Sequence, residues 1–168
     1  SRIPFSMKVG DKVFQETDFA YADPSFLKIF DFKLKSGDSN TALNEPNTII
    51  LTEEIAAKYF GDDDPMGKTV TVNGDVEMLV TGVMINPPRN SSFPIGALAS
   101  FKRLESRYGV EWFPMNFMTF LQLTKGADTK KVKNIFLDKV KTEFTGELAT
   151  EAANVDFSLQ PLSEIHMQ

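Results

Sequence analysis

Cysteine is missing from all 168 residues. Its absence removes disulfides, thiolate nucleophiles and cysteine-ligated zinc from consideration. It does not choose a compartment, because extracytoplasmic proteins need not carry disulfides. Histidine is almost as scarce. His166 is the single one, so neither a histidine-pair metal site nor an H-E-x-x-H helix can be assembled. A Ser–His–Asp arrangement would depend on His166, and no serine sits in a G-x-S-x-G elbow. Packing or hydrogen bonding at a strand end is therefore the reading adopted for His166. No apolar run reaches the roughly 18 residues needed to span a bilayer. Basic residues are outnumbered, 18 Lys and Arg against 23 Asp and Glu, for a net charge of -5. Phosphate backbones need clustered cations, so nucleic acid is excluded as a partner.

What is present is ordinary for a globular domain: 42% hydrophobic and 24% charged residues, at a length that predicts about one domain. Fifteen Phe against one Trp is a skew, and most of those rings are expected in the core. The chain starts at Ser1 inside a strand-like segment, without an initiator Met or signal peptide. We read residues 1–168 as a single domain excised from a longer protein.

The densest stretch is Asn47 to Val83. Gly67-Lys68-Thr69 looks at first like a phosphate-binding loop, but the loop requires four residues between its glycines, and Gly61 and Gly67 bracket five. Three of those are Asp62, Asp63 and Asp64, which repel phosphate, and Pro65 lacks the N–H the cradle needs. The context is reversed too, since a helical pattern precedes the motif and a strand pattern follows it. An EF-hand reading of the aspartates fails because its third acidic slot falls on Met66. Glu53 and Glu54 are adjacent on a helix and point about 100° apart, so they are first-turn charges and not a facing acid pair. The sequence offers no catalytic, cofactor-binding or metal-ligating set. Lys130, Lys131, Lys133, Lys139 and Lys141 make one helix basic; a solvated face interrupted by Asp138 and Glu143 is preferred to an anionic-partner surface. Asn90-Ser91-Ser92 fits the glycosylation pattern, which matters only in a secreted eukaryotic protein.

Periodicity predicts strands over Ile3–Val9 and Lys12–Tyr21 around a Gly10-Asp11 turn, then a short helix to Phe30 opened by Asp23-Pro24. Phe32–Leu34 reads as extended and Ser36–Pro46 as a loop. Thr48–Leu51 is a strand, and Thr52 caps a helix whose stripe is Ile55, Ala56, Tyr59 and Phe60 and which ends at Gly61. Asn73-Gly74 is the strongest hairpin signal, joining Thr69–Val72 to Val76–Ile85, with Val76, Met78, Val80 and Met84 on one face. A helix over Ile95–Tyr108, a central strand over Asn116–Thr124, and a long helix from Asp128 to Phe144 striped by Val132, Ile135, Phe136, Val140 and Phe144 follow. Val155, Phe157 and Leu159 alternate as a half-buried strand. Mixed hairpins and crossovers make the class α+β.

The order of these elements resembles the extracytoplasmic core domain of MacB/FtsX-type ABC transporter permeases. Phe30-Asp31-Phe32, Leu34 and Gly37-Asp38 are similar to that family's FdF-x-L-x-x-Gd segment, continued by Ala42-Leu43 and Pro46-Asn47. Leu51-Thr52-Glu53 and Ala57-Lys58-Tyr59-Phe60-Gly61 resemble its helix, Pro65-Met66-Gly67-Lys68-Thr69 its P-[IVM]-G-[KQ]-x turn, and Val80-Thr81-Gly82-Val83 its V-x-G-V strand. Pro88 with Asn90-Ser91-Ser92-Phe93, and Pro161-Leu162 with Ile165-His166, resemble its connector and closing segment. The similarity covers nearly the whole chain. In this family the first strands lie further from the start, so part of the N-terminal region is expected to be missing. Phe60, Gly61, Pro65, Gly67, Asn73, Gly74 and Gly82 read as fold-defining positions, and Gly82 within a strand predicts a bulge or a close backbone approach.

The resemblance implies a mixed α+β fold of two lobes, one porter-like and one smaller, facing the periplasm from the inner membrane. It implies no catalysis and no cofactor. ATP would be hydrolysed by a cytoplasmic ABC ATPase subunit or domain, coupled through membrane helices to a dimer of permeases. Movement in the periplasm would drive efflux, lipoprotein release or activation of a partner, with a periplasmic adaptor or substrate protein as a further contact. The alternatives are a soluble periplasmic binding or interaction module, and an enzyme with a pocket of perturbed carboxylates or His166.

Overall fold

The computed structural model describes residues 4–88, 90–91, 93–104, 118–143 and 158–165. The chain divides into two compact units, Ser1–Phe117 and Met118–Gln168.

The first unit is an α+β assembly built on one mixed sheet. Its elements are β1 (Phe5–Val9), β2 (Lys12–Glu16), β3 (Phe19–Ala22), α1 (Phe26–Ile29), β4 (Leu34–Gly37), β5 (Thr48–Thr52), α2 (Glu53–Phe60), β6 (Thr69–Val72), β7 (Val76–Met84) and β8 (Ala97–Ser100). Strand order is β2-β1-β6-β7-β5-β8-β3, with β4 on β7. β7 is long enough to pair β6 along its first half and β4 along its second, while β5 runs parallel to it on the other side.

β2 and β3 stand at opposite ends of the strand order, yet only Thr17 and Asp18 separate them in sequence. The three steps from Glu16 to Phe19 reach only about 10 Å, so the sheet must curl until its ends meet. Phe5 on β1 and Phe19 on β3 stack there with ring centroids 4.4 Å apart. The expected single strand Lys12–Tyr21 is thus a bent ribbon that leaves β1 and joins β8. The bend follows from its two different partners, antiparallel β1 and parallel β8.

Two apolar clusters occupy the two faces of the sheet. The first joins Met7, Ile49, Leu51, Val70, Met78 and Val80 to Ala56 and Tyr59 of α2. The second sets Ile50, Leu98 and Met84 against Leu27 of α1 and Ala42 and Leu43 of the loop after β4. Met84 was expected beside Val76, Met78 and Val80 but lies in the other cluster. The β5–β7 register slips between Ile49↔Val80 and Ile50↔Gly82, which leaves Thr81 over as a bulge and reverses the alternation beyond it.

The expected helix over Ile95–Tyr108 is corrected. Residues Ala97–Ser100 form β8, fully buried between β5 and β3, and a helical turn begins only at 102. A run buried on both faces has no strand alternation, so periodicity cannot separate it from a buried helix. β4 likewise starts inside the expected extended piece and runs to Gly37, into the predicted loop. In α1 the buried side chain is Leu27, while Phe26, Ile29 and Phe30 are half-buried.

In the second unit, α3 (Thr129–Glu143) is opened by Asp128, whose Oδ1 accepts from the Lys130 and Lys131 N–H groups at 2.9 and 3.3 Å. Val132 and Phe136 are half-buried, but Ile135 of the expected stripe is 67% exposed. Residues 118–124 were expected as a central strand and form none, with Met118, Leu121 and Leu123 exposed. A strand exists only with a partner, and the segment has no ladder partner among the described residues. The side chains of Val140 and Phe144, the first half of the Val155–Leu159 pattern, Tyr108 and His166 lie outside the described residues, while Ser158 and Leu159 carry no strand. Leu162–Glu164 make one 3-10 turn. Among the described residues no helix is long and apolar enough to cross a membrane.

Candidate functional site

The Asn47–Val83 stretch is held by its own residues. Thr52 Oγ1 accepts from the Ile55 N–H at 3.3 Å, which satisfies an orphan donor at the start of α2. Glu53, in the first turn, meets Lys35 Nζ at 2.8 Å. That hydrogen bond holds its carboxyl below the usual carboxylate range. Gly61 ends α2 with φ 64°, its N–H on the Ala57 carbonyl at 2.8 Å. Gly67 takes φ 73°, and its N–H meets the Val80 carbonyl at 2.9 Å, extending the β6–β7 ladder. Asn73 and Gly74 both have positive φ. The Asn73 side chain does more: its Oδ1 accepts from the Ser6 N–H at 3.1 Å, tying the hairpin tip to β1.

Lys68, the residue that invited a phosphate reading, reaches Asp63 at 3.0 Å and lies 5.4 Å above the Phe60 ring. Asp64 accepts from the Met66 N–H at 3.0 Å. Two of the three aspartates therefore shape the turn. Among the described residues no three His, Asp or Glu side chains gather as a metal set would.

A cleft of about 290 Å³ opens where α2 starts, walled by Asp18, Glu54, Asn86, Phe93 and Gly96. Two of its polar groups are engaged in backbone structure. The Asp18 carbonyl accepts from Gly96 and Ala97, and Asn86 Oδ1 accepts from the Glu54 N–H at 3.0 Å. A second, shallower depression of about 460 Å³ lies beside Asn47, Asp75, Glu77 and Arg103, where Arg103 donates to Asn47 Oδ1 at 2.6 Å.

The sequence reading missed a polar cluster that fixes the β1–β2 hairpin to α2. Lys12 Nζ donates to the Tyr59 carbonyl at 2.9 Å, occupying the C-terminal end of α2 where cations are favoured. Glu16 accepts from Lys58 Nζ at 2.6 Å and from the Tyr59 hydroxyl at 2.8 Å. Burial, then the hydrogen bond to Glu16 and the Glu16 charge, push the Tyr59 phenol well above its ordinary value. Phe14 meets the Tyr59 ring edge-on at 5.4 Å and lies beneath Lys58. The partners are more than 40 residues apart in sequence, so no local pattern could have paired them.

The fold and this stretch fit the class of periplasmic domains of ABC transporter permeases. The chain belongs to the family of MacB-like periplasmic core domains of ABC transporter permeases, whose family model matches residues 2–137. Solved structures agree on the fold. A domain assigned to a permease protein from Porphyromonas gingivalis superposes with a TM-score of 0.68 at 22% identity, over 89% of this chain and 64% of that one. The periplasmic region of MacB from Actinobacillus actinomycetemcomitans superposes with a TM-score of 0.57 at 14% identity, over 85% of this chain and 64% of that one. The chain thus spans somewhat less than two thirds of each of these structures. A search of curated proteins gave no match.

Proposed function

We propose that this domain is the periplasmic moving part of an ABC transporter permease anchored in the inner membrane. It carries no chemistry of its own. Hydrolysis by a cytoplasmic ABC ATPase subunit or domain is passed through membrane helices to movement of paired permease copies outside the membrane. The output is efflux, lipoprotein release or activation of a partner, with a periplasmic adaptor or substrate protein as the recipient. The observation that carries this reading is the family match across residues 2–137. A sheet whose two ends are joined by its own chain supports it, because a stiff body transmits displacement without absorbing it. Phe60, Gly61, Pro65, Gly67, Asn73, Gly74 and Gly82 are proposed to set the fold and to contact no ligand. The second reading, a free periplasmic binding module, would use the cleft beside Glu54, where the Asp18 carbonyl and Asn86 Oδ1 are already engaged.

The test uses the whole permease with its ATPase in a bilayer. Because this chain has no cysteine, Asp11→Cys in the exposed β1–β2 turn places one spin label per domain wherever the rest of the permease is also free of cysteine. The label-to-label distance distribution is expected to shift between nucleotide-free and Mg-ATP-trapped states. An unchanged distribution in every nucleotide state overturns the coupling. Magnesium-dependent stabilisation of this domain alone by ATP overturns its non-catalytic part.

A further inference from the structure

β2 is a sheet edge hydrogen-bonded on one side only, to β1. The hairpin register Val9↔Lys12, Met7↔Phe14 and Phe5↔Glu16 decides which backbone groups are used. With the two-residue turn Gly10-Asp11, those are the hydrogen-bonded pairs, so the amides of Lys12, Phe14 and Glu16 face β1. The N–H and C=O groups of Val13 and Gln15 face outward. The strand is exposed from Lys12 to Gln15, with Val13 at 53% and Phe14, one face of which packs on Tyr59 and Lys58, at 40%. Such an edge is usually blunted by a bulge, a proline or an inward charge. Lys12 lies on this edge, but its ammonium is folded back onto the end of α2.

The sequence of β2, Lys12-Val13-Phe14-Gln15-Glu16, is complementary to itself when reversed. We propose that β2 pairs antiparallel with β2 of a second copy of this chain, about a two-fold axis at Phe14. In that register Val13 exchanges both backbone hydrogen bonds with the partner's Gln15, and Gln15 with the partner's Val13, giving four bonds in all. Phe14 meets its own equivalent as a non-hydrogen-bonded pair, the arrangement that brings side chains closest. Lys12 stands opposite the partner's Glu16, and Glu16 opposite the partner's Lys12; because Lys12 already donates to the Tyr59 carbonyl and Glu16 accepts through Oε1, each pair uses a remaining ammonium hydrogen and Oε2. The neighbouring registers place Lys12 against Phe14, or Phe14 against Glu16, and lose both charge pairs. An isologous contact of this kind closes as a dimer and does not propagate. The proposal gives the second permease copy a surface, and rests on the reading above only for bringing two copies together.

Cross-linking of the cysteine-free chain tests it. Phe14→Cys and Val13→Cys are made separately and oxidised mildly. Random collision favours Val13→Cys, the more exposed position. The register favours Phe14→Cys by at least about tenfold in rate, because directly opposed Cβ atoms stand ~4.5–5.5 Å apart. Equal rates, or a faster Val13→Cys, overturn the proposal, as does an extended segment of another protein occupying the edge in place of β2. Gln15→Pro removes an outward donor that the monomer does not use. It is expected to abolish concentration-dependent association in sedimentation while leaving the circular dichroism unchanged; association that survives in the folded variant also overturns the proposal. These measurements read the edge alone, so their failure leaves the nucleotide-driven distance change still to be judged on its own result.

Discussion

The Tyr59 hydroxyl donates to Glu16 Oε1 at 2.8 Å, joining α2 to the strand that leads into the bend of the sheet. Tyr59 is 2% exposed, and the Glu16 end of the bond is partly buried. Tyr59→Phe keeps the ring packing and removes the donor, at an expected cost of about 1 kcal/mol in urea unfolding. The pH dependence has a definite sign. A phenol whose folded value is raised stabilises the fold fully below the ordinary 10.0 and loses that contribution as pH rises beyond it. The wild-type chain is expected to lose stability above about pH 10, and Tyr59→Phe to lose less over the same range.

Gly37 and Gly82 face each other across the β4–β7 pair, and the two are expected to tolerate alanine differently. A Cβ on Gly37 would stand 2.4 Å from the Thr81 carbonyl oxygen and 2.9 Å from Gly82 Cα, at φ +95°. Both neighbours are backbone and neither can rotate away. A Cβ on Gly82 would meet Ile50 Cγ1 at 3.2 Å, a side chain that can give. Gly37→Ala is expected to cost on the order of 2–3 kcal/mol or more. Gly82→Ala should cost about 1 kcal/mol. Chemical denaturation of the two variants checks the order, which is reversed if the bulge at Thr81 is the more sensitive feature.

Thr52→Ala removes the cap of α2 while leaving the first-turn acids in place. The expected loss is about 1 kcal/mol. Thr52→Ser should recover most of it, since the hydroxyl is retained. Thermal unfolding of both variants separates the hydrogen bond from the lost methyl.

Acid stability carries a contribution from Glu53. Its carboxyl is held below the ordinary 4.5 by the Lys35 hydrogen bond. Stability from such a group is present above that value and is lost as the pH falls below it. Lys35→Met is expected to flatten the decline in melting temperature below about pH 4.5, and high salt should weaken the wild-type effect because the pair lies at the surface.

Local signals carried well into the structure. Thr52 at the helix start, Gly61 at its end and Asn73-Gly74 at the hairpin could be read because each answers to its own backbone angles or to an amide three residues away. What failed depended on distant partners. Ala97–Ser100 is a strand because β5 and β3 flank it, and four buried residues in a row show neither strand nor helix period. Met84 changes face because one residue bulges opposite β5, which no alternation within β7 can announce. The Lys12–Tyr59 and Glu16–Lys58 contacts join segments that the sequence reading treated separately. The motif turns were visible from their glycines and prolines; the outward edge of β2 was not, since edge and centre are properties of the sheet order.

The bent ribbon also has a kinetic consequence. Phe19 pairs with Ala97, at nearly the far end of the first unit, and Met7 pairs with Val72. The β1–β2 hairpin can form early because its contacts are local, whereas ring closure at β3 must wait for β8. Long loops have to be closed before that pairing returns any free energy. Folding of this unit should therefore be slow for its size, with the last strand to emerge completing the place of one of the first.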